Sequence, residues 1–243
     1  MSLVIVLPTY NEAENLPRLV SALFALDLPL RVLVVDDNSP DGTGEIAEAL
    51  KARHLGRLEV LHRTRKGGLG PAYLAGFRRA LDWGAEAVGE MDADFSHPPE
   101  RLPVMWHTLQ EGYDLVIGSR YVPGGGVDER WPFWRKALSA FGNFYARTIL
   151  NLPIRDVTGG YRLYRRQALE RLPLARVRST GYVFQVELAY LAHLLGLRVA
   201  EVPIYFADRR WGESKMTLRI QIEAAFRVWQ LRRAYRDLRR PTP

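Results

Sequence analysis

Two aspartates, Asp92 and Asp94, follow an apolar segment in the run MDADFSHPP. On an extended segment, residues two apart point to the same side, so the two carboxylates would face the same space. Carboxylates that share a site repel each other unless a cation lies between them. Oxygen ligands of this kind suit Mg²⁺ or Mn²⁺, which also bind substrate phosphates. The run therefore predicts a divalent metal site, and the alternative is a pair of solvated loop acids.

A second polar run, PTYNE, follows the first apolar segment and contains Pro8, Tyr10 and Glu12. Proline can end a strand, an aromatic ring can pack beside a nucleotide base, and a carboxylate can accept a hydrogen bond from a ribose hydroxyl. The same run is equally typical of a helix start, with Asn11 as the N-cap and Glu14 three residues on. We expect Asn11 to cap the helix whether or not this run also contacts a nucleotide.

A third polar pair, Asp36 and Asp37, follows the second apolar segment. One of these carboxylates could accept a hydrogen bond from a base N–H or a ribose hydroxyl. The alternative is a structural turn in which Asp41 acts as a cap. Taken alone, the sequence of this turn leaves both interpretations open.

The elements that must position these residues follow from the hydrophobic pattern. Short apolar runs predict strands over residues 3–7, 30–35, 58–61, 87–91, 115–117 and 198–202. Helical spacing and turn signals predict helices over residues 16–24, 45–53, 71–83, 99–110, 131–150 and 183–195. Strands that alternate with helices predict an α/β fold, with a mostly parallel central sheet and helices on both faces. In such sheets ligands bind beyond the carboxyl ends of the strands, where the polar runs fall.

Composition excludes several kinds of site. The 243 residues include no cysteine, so disulfides, thiolate metal sites and cysteine nucleophiles are excluded. No apolar run approaches the ~20 residues that a membrane-spanning helix needs. The first residues also lack the basic leader and cleavage site of a signal peptide. We therefore expect a soluble or peripheral protein.

Positive charge is concentrated near the C-terminus. The net charge is +7, and residues 216–243 hold seven arginines against Glu223 and Asp237, so that segment carries +5 and the first 215 residues carry +2. A basic tail indicates an anionic partner, either lipid headgroups or nucleic acid. Its apolar residues form one helical stripe, which predicts an amphipathic helix in a membrane interface: Ile220, Ala224, Val228, Leu231, Tyr235 and Leu238. The alternative is a helix packed on its own domain or on a second subunit.

Three aromatic residues lie just before Arg135 in the predicted helix over 131–150. Trp131, Phe133 and Trp134 could anchor the protein in a membrane interface. The alternative is that they pack in the core.

The combined motifs resemble the dolichol-phosphate mannosyltransferases, within the inverting GT-A glycosyltransferases of family 2. The matching runs extend from about Leu3 to Lys215 and are PTYNE, VVDDNSPDGT, MDADFSHPP, GSRY, TGGYRLYRR, GYVFQ and FADRRWGESK. PTYNE and the aspartate pair mark only the broad family, whereas the spacing of WRKALS, TGGYRLY and GESK is typical of the polyprenyl-phosphate branch. The resemblance, to the form without C-terminal transmembrane helices, implies a GT-A catalytic domain over residues 1–215 and a basic amphipathic helix over 216–243.

The resemblance also implies roles for individual residues. The nucleotide sugar would contact Pro8, Tyr10, Glu12, Val35, Asp37, Asp92, Ala93, Asp94, Arg120, Arg209 and Lys215. The metal would lie on Asp92 and Asp94, with Ser96 where some relatives place a glutamine ligand. The catalytic residues that act on the departing diphosphate would be Asp94, Arg120, Arg209 and Lys215.

The acceptor phosphate would contact Arg135 and Ser139 of WRKALS. They are four residues apart on a predicted helix, so both can face one oxyanion. For any one of the basic residues in these two sets, the alternative is a surface ion pair.

The acceptor chemistry makes a strong catalytic base unnecessary. A phosphomonoester has a second pKa of about 6, so it is largely dianionic at neutral pH. The enzyme must instead offset repulsion between phosphates and stabilise the leaving diphosphate, which a metal and several cations can do. His97 is interpreted as a residue that shapes the acidic loop.

These considerations predict an enzyme that moves mannose from GDP-mannose to a polyprenyl phosphate. It would be cytoplasmic and peripheral on the inner face of the membrane, and would use Mg²⁺ or Mn²⁺. We expect no nucleic-acid partner and no obligatory protein partner. The alternatives are UDP-glucose or another nucleotide sugar as donor, a soluble acceptor, or a nucleic-acid-binding protein, since the sequence pI is about 9.8.

Overall fold

A seven-stranded sheet organises the protein, whose computed structural model describes residues 2–208 and 218–238, with the backbone alone for 218–224. The strands of this sheet are β1 Leu3–Thr9, β2 Leu30–Asp36, β3 Leu58–His62, β4 Ala87–Glu90, β5 Leu115–Ser119, β7 Arg162–Arg165 and β8 Val199–Pro203. Two short strands, β6 Gly126–Val127 and β9 Tyr205–Phe206, pair separately.

Helices connect the strands and cover the sheet. They are α1 Leu16–Phe24, α2 Thr43–Arg53, α3 Leu69–Asp82, α4 Leu102–Gln110, α5 Phe133–Leu150, α6 Arg166–Arg171, α7 Tyr182–Leu194 and α8 Leu218–Ala234. None of the helices within these described ranges is long and apolar enough to cross a bilayer.

The sheet has the order β3-β2-β1-β4-β7-β5-β8. All adjacent pairs are parallel except those of β7, which is antiparallel to both β4 and β5. The carboxyl ends of β1, β2, β4 and β5 therefore meet at one edge, where ligands bind in sheets of this kind. The predicted mostly parallel α/β fold is confirmed.

Side chains of the central strands alternate between two cores because successive residues of a strand point to opposite faces. Val4 and Val6 of β1 pack with α3, α7 and α8 on one face. Leu3, Ile5 and Leu7 pack with α1 and α4 on the other. Helices on both faces exclude water from the strands, so polar ligands can bind only at the edge of the sheet.

Two local predictions for the PTYNE run are wrong. β1 does not end at Pro8 but continues to Thr9, because β2 still pairs with it there, whereas β4 pairs with β1 only up to Val6. Asn11 is not an N-cap: it has a φ of 62°, and α1 begins only at Leu16. The reason is tertiary, since the loop is tied to the turn after β2.

Asp41 holds that turn together, although the N-cap of α2 is Gly42 and not Asp41. The Asp41 carboxylate accepts hydrogen bonds from the amides of Thr43, at the start of α2, and of Ala13, each over 3.1 Å. The amide of Asn11 also donates to Ser39 Oγ over 3.2 Å. The turn therefore fixes the whole segment that follows β1.

The C-terminal helix packs on its own protein. In the described part of the predicted stripe, Val228, Leu231 and Tyr235 are only 4%, 5% and 1% exposed and belong to the core formed with α5 and α7. These three residues are therefore covered by protein, as the packed alternative predicts. Ile220 and Ala224 of the stripe lie outside the described side chains. The predicted domain boundary at residue 215 lies outside the described residues.

Candidate functional site

A cavity of about 350 Å³ lies at the carboxyl edge of the sheet. The predicted site residues that line it are Pro8, Tyr10, Glu12, Asp37, Asp92, Ala93, Asp94 and Arg120. They come from the ends of β1, β2, β4 and β5, so the sheet brings together residues more than 100 positions apart in sequence. Arg209 and Lys215, predicted to act on the diphosphate, lie outside the described residues.

The acidic run follows β4 and faces the cavity with both carboxylates. The Asp92 side chain is 30% exposed, and its Oδ1 accepts a hydrogen bond from the Tyr73 hydroxyl over 3.3 Å. Asp94 is only 4% exposed, and its Oδ1 accepts from the Ser96 amide over 3.0 Å. Neighbouring groups thus hold both carboxylates in place before any ligand binds.

Asp92 and Asp94 fit a divalent metal that binds together with a phosphate-containing ligand. Within the described ranges, no cluster of three or more acidic or histidine side chains could enclose a cation. Two carboxylates leave most coordination positions to phosphate oxygens and water, which is how Mg²⁺ usually binds at phosphate sites. Ser96 does not line the cavity. Its buried hydroxyl has no hydrogen-bond partner among the described residues, and its role as a ligand stays a prediction.

His97 shapes the acidic loop. The ring is buried and stacks on Tyr161, with 5.2 Å between centroids, and its Nδ1 accepts the Asp92 amide hydrogen over 3.0 Å. This contact assigns the proton of the neutral ring to Nε2, which lies 4.0 Å from an oxygen of Asp92. Burial lowers the pKa of His97, although Asp92 and Asp94 oppose that shift. The geometry supports its interpretation as a loop-shaping residue.

Asp37 holds the loop between β3 and α3. Its Oδ2 accepts from the amides of Gly67 and Gly68 over 2.8 and 2.9 Å, and its Oδ1 accepts from the guanidinium of Arg63. Each carboxylate oxygen has a second acceptor position, so this role does not exclude a ligand contact.

Lys66 of the same loop is a site residue that the motif analysis missed. Its ammonium lies 3.5 Å from the centroid of the Tyr10 ring, a cation–π geometry, and both side chains line the cavity. The basic, glycine-rich run RTRKGGLG was a usable signal for this residue.

Two residues that were predicted to contact the nucleoside differ in their position relative to the cavity. Glu12 lines the cavity, and its Oε2 accepts from the side-chain amide of Asn15 over 2.8 Å. Val35 does not line the cavity: its side chain is fully buried, next to Gly76 of α3. The structure therefore gives no support to a contact by the Val35 side chain, because α3 covers it.

Arg120 reaches the cavity from the end of β5 and is held by Asp156. Its Nε and Nη2 donate to the two carboxylate oxygens of Asp156 over 2.8 and 2.7 Å, and Nη2 also donates to Thr158 Oγ1. Burial alone would lower the pKa of Arg120, but the buried carboxylate outweighs it and raises that pKa. Asp156 precedes the TGGYRLYRR motif and was not predicted.

The predicted acceptor residues lie beside the cavity rather than in it. Arg135 and Ser139 are on α5, with the Arg135 guanidinium 3.8 Å from the Trp131 ring centroid and 3.2 Å from Asp208 Oδ1. Ser139 Oγ lies 2.9 Å from the hydroxyl of Tyr121, the residue next to Arg120. Through Tyr121, Ser139 of α5 therefore lies close to Arg120 at the cavity wall.

One wall of the cavity comes from the segment before α7 and its first turn, including Gly181, Tyr182 and Gln185. Gln185 donates to the fully buried carboxylate of Glu90 over 2.7 Å, and burial raises the pKa of Glu90 to about 7. The GYVFQ motif marked this wall, although no role was assigned to it.

A buried carboxylate ties this wall to the C-terminal segment. Glu187 of α7 accepts from the Ser179 amide over 3.0 Å through one oxygen. Its other oxygen accepts from the Tyr235 hydroxyl over 2.6 Å. The position of the wall therefore depends on a residue that follows α8.

Residues 4–173 match the family described as Glycosyl transferase family 2. The chain is 48% identical over 231 residues to the polyprenol monophosphomannose synthase of Mycolicibacterium smegmatis, covering 94% of this chain and 87% of that protein. It is 46% identical over 241 residues to the undecaprenyl-phosphate mannosyltransferase of Micrococcus luteus, covering 98% of each.

Solved structures share the fold. Mannosyl-3-phosphoglycerate synthase from Rubrobacter xylanophilus matches with a TM-score of 0.67 at 22% identity, over 98% of this chain and 75% of that chain. Glucosyl-3-phosphoglycerate synthase from Mycobacterium tuberculosis, in complex with Mn²⁺, UDP and glucosyl-3-phosphoglycerate, matches with a TM-score of 0.65 at 19% identity, over 95% and 78%. Because the family match covers most of the chain and the two curated relatives match nearly all of it, this protein belongs to glycosyl transferase family 2.

Proposed function

We propose that this enzyme transfers mannose from GDP-mannose to a polyprenyl phosphate, with inversion at the anomeric carbon. The observation that carries the proposal is that the residues predicted to bind the donor and those predicted to bind the acceptor lie side by side. Asp92, Asp94 and Arg120 line one cavity, and Arg135 and Ser139 lie next to it on α5. The names of the two relatives with 46–48% identity, which refer to mannose transfer to polyprenyl phosphates, support the same activity.

The cavity would bind the donor. Tyr10, Glu12 and Asp37 would contact the nucleoside, and they line the cavity together with Pro8 and Ala93. A divalent cation, Mg²⁺ or Mn²⁺, would neutralise charge on the diphosphate and assist its departure. Asp92 and Asp94 would hold that cation.

The cations of the chain would act on the leaving diphosphate. Arg120 has a fixed position, because Asp156 orients its guanidinium at the cavity wall. We assign the same role to Arg209 and Lys215 from the family motif. Positive groups placed before the reaction stabilise the charge that develops as the diphosphate leaves.

The acceptor phosphate would bind at Arg135 and Ser139. One of its oxygens forms a bond to the anomeric carbon from the side opposite the diphosphate, while the bond from that carbon to the diphosphate oxygen breaks and its electron pair leaves with GDP. The acceptor is already a dianion near neutral pH, so no proton has to be removed. The product is mannosyl phosphoryl polyprenol, and the enzyme works on the inner face of the membrane, where this acceptor resides.

The direct test is transfer by the purified protein to a short-chain prenyl phosphate in the presence of Mn²⁺, with GDP-mannose or UDP-glucose as donor. We expect a mannosyl product, identified by its mass, from GDP-mannose alone. A glucosyl product from UDP-glucose would overturn the donor assignment. Transfer to a soluble sugar, but not to the prenyl phosphate, would overturn the acceptor assignment.

Replacing Ser139 by alanine is expected to raise the KM for the acceptor by about tenfold or more, since a hydrogen bond to a charged phosphate is worth ~1.5–3 kcal/mol. The KM for the donor should change little, because Ser139 lies outside the cavity. Steady-state kinetics with each substrate varied in turn would measure the effect. Ser21→Ala, at an exposed position of α1, is the matched control. A rise in the donor KM alone would contradict the assignment.

A further inference from the structure

The outward face of α5 is apolar and aromatic. Phe133, Trp134, Phe141 and Phe144 are 84%, 66%, 62% and 62% exposed. On a helix with 3.6 residues per turn these four side chains fall within a sector of roughly 100°. Three more exposed residues fall in or next to this sector, and none of them is charged: Ala137, Ala140 and Thr148.

The polar side of the same helix faces the protein. Ser139 and Asn143 point inward, where Asn143 bonds to the backbone of Arg155 and Val157. Most helices of globular proteins turn an apolar stripe to the core and a polar face to solvent. In α5 the outer face is apolar as well, although Ala146 and Leu150 near its C-terminal end pack in the core in the usual way. Water is therefore not the solvent that this outer face fits best.

The C-terminal helix extends this surface. Phe226 and Trp229 of α8 are 68% and 50% exposed. The indole of Trp229 donates to the hydroxyl of Tyr145 over 2.9 Å, and that hydroxyl donates to the carbonyl of Ala225 over 3.3 Å, which fixes α8 alongside α5. We define the aromatic face as Phe133, Trp134, Phe141, Phe144, Phe226 and Trp229.

The charges around the aromatic face are positive. Helix α5 contains Arg135, Lys136 and Arg147 and no acidic residue. Among the described side chains of α8, Arg227, Arg232 and Arg233 are exposed and none is acidic. Positive charge beside an apolar face complements an anionic lipid surface.

The same positive charges argue against a second copy of this protein as the partner that covers the aromatic face. A symmetric dimer brings the same patch of both subunits together, so it would place these arginines and lysines opposite one another. A contiguous exposed apolar patch of this kind usually marks an interaction site.

We propose that the aromatic face docks the enzyme on an anionic lipid bilayer, with the six aromatic side chains in the boundary between headgroups and acyl chains. Aromatic residues favour this depth, because their rings are amphipathic or apolar and the headgroups lie just above. The docking surface is then the outside of α5 and α8, not the apolar stripe of the C-terminal segment, in which Val228, Leu231 and Tyr235 are buried.

This orientation, which in this step rests on the proposed function, explains why the acceptor residues are on α5. Ser139 lies on the inner side of the helix, and a helix with its side chains is ~10 Å thick. With the aromatic face at the acyl boundary, Arg135 and Ser139 would lie near the level of lipid phosphates. An acceptor phosphate could reach them while its prenyl chain stays in the bilayer.

The test is flotation with vesicles that contain no polyprenyl phosphate, made of phosphatidylcholine with phosphatidylglycerol or of phosphatidylcholine alone. We expect the wild type to float with the mixed vesicles and more weakly with the neutral ones. The double substitution Phe141→Glu and Phe144→Glu should reduce the bound fraction at least tenfold, because two apolar rings that would be buried among the lipids are replaced by two negative charges. Leu55→Glu, at an 81% exposed position between α2 and β3, is the matched control and should float like the wild type.

Equal flotation of the double variant and the wild type, or no flotation of the wild type with either vesicle, would overturn the proposal. So would a wild-type dimer in light scattering that the double variant converts to a monomer, because the face would then cover a second copy. Transfer to a short prenyl phosphate free in solution distinguishes the docking proposal from the proposed function. The double variant should retain it, and its absence in a wild type that floats would count against the proposed function alone.

Discussion

Asp94→Asn is expected to lower turnover by roughly a hundredfold to a thousandfold, the size of effect seen when one preorganised charge-stabilising group is removed from an active site. Asparagine keeps the shape of the side chain, but the site loses one of the two carboxylates of the acidic run. Among the described residues, no cluster of three or more acidic or histidine side chains could hold the cation without it. The kcat of mannosyl transfer and calorimetric binding of GDP, each with and without Mn²⁺, would measure the loss.

The binding experiment tests directly whether Asp94 holds the metal, because it compares GDP binding with and without Mn²⁺. In the wild type, Mn²⁺ should strengthen GDP binding, and a chelator should remove that gain and abolish transfer. In Asp94→Asn, GDP should bind with nearly the same affinity whether or not Mn²⁺ is present. Asp82→Asn, at the exposed end of α3, controls for the loss of one negative charge. Full activity of the Asp94 variant would mean that the acidic run does not hold a metal.

Asp156→Asn is expected to reduce the free energy of unfolding by about 3–5 kcal/mol, because removing one partner of a buried ion pair leaves the other charge without compensation. Asp156 is fully buried, and the Arg120 side chain is only 9% exposed. The carboxylate also accepts the amide hydrogens of Arg120 and Gly159. Urea denaturation would give the stability change. Transfer should fall as well, since Arg120 loses the group that orients it.

The same pair predicts a pH dependence. Burial alone would raise the pKa of Asp156, but the Arg120 guanidinium and the hydrogen bonds outweigh it and hold that pKa below its usual value. A carboxylate with a lowered folded-state pKa stabilises the protein above its unfolded-state pKa, about 3.9, and this stability is lost as the pH falls through the folded-state value. The gap in unfolding free energy between wild type and Asp156→Asn should therefore narrow in acid.

A matched control is Asp237→Asn, which breaks an ion pair between Asp237 and Arg176 whose side chains are 55% and 41% exposed. Exposed pairs contribute little to stability. We expect the unfolding free energy of this variant to stay close to that of the wild type. If Asp156→Asn behaved in the same way, the Arg120 pair would not be a stabilising element.

Local sequence patterns predicted the strands and helices well, because runs such as 3–7 and 30–35 are almost continuously apolar, as strands buried on both faces are. They also placed Asp92 and Asp94 at a strand end. The Asn11 cap failed because Ser39 and Asp41, about 30 positions away, decide the conformation of that loop. Asp156 was missed for a similar reason, since its partner is 36 residues earlier in the chain.

The amphipathic tail shows a different limit. The spacing of Val228, Leu231 and Tyr235 correctly indicated one apolar face, but spacing does not say whether lipid or protein covers that face. The structure supplies α5 and α7 as the cover. Conversely, the sequence left open whether Trp131, Phe133 and Trp134 anchor the protein in a membrane interface or pack in the core. The structure buries Trp131 and leaves Phe133 and Trp134 exposed.

The hydrogen bonds of Glu187 have a consequence for biosynthesis. This carboxylate joins Ser179, just before the cavity wall at Gly181 and Tyr182, to Tyr235, which follows α8. A ribosome releases the chain from its N-terminus, so β1 to β4 and the acidic run can fold early in translation. This wall of the cavity gains the hydrogen bond from Tyr235 only after that residue has left the ribosome. A nascent chain should therefore hold the wall less firmly than the released protein does.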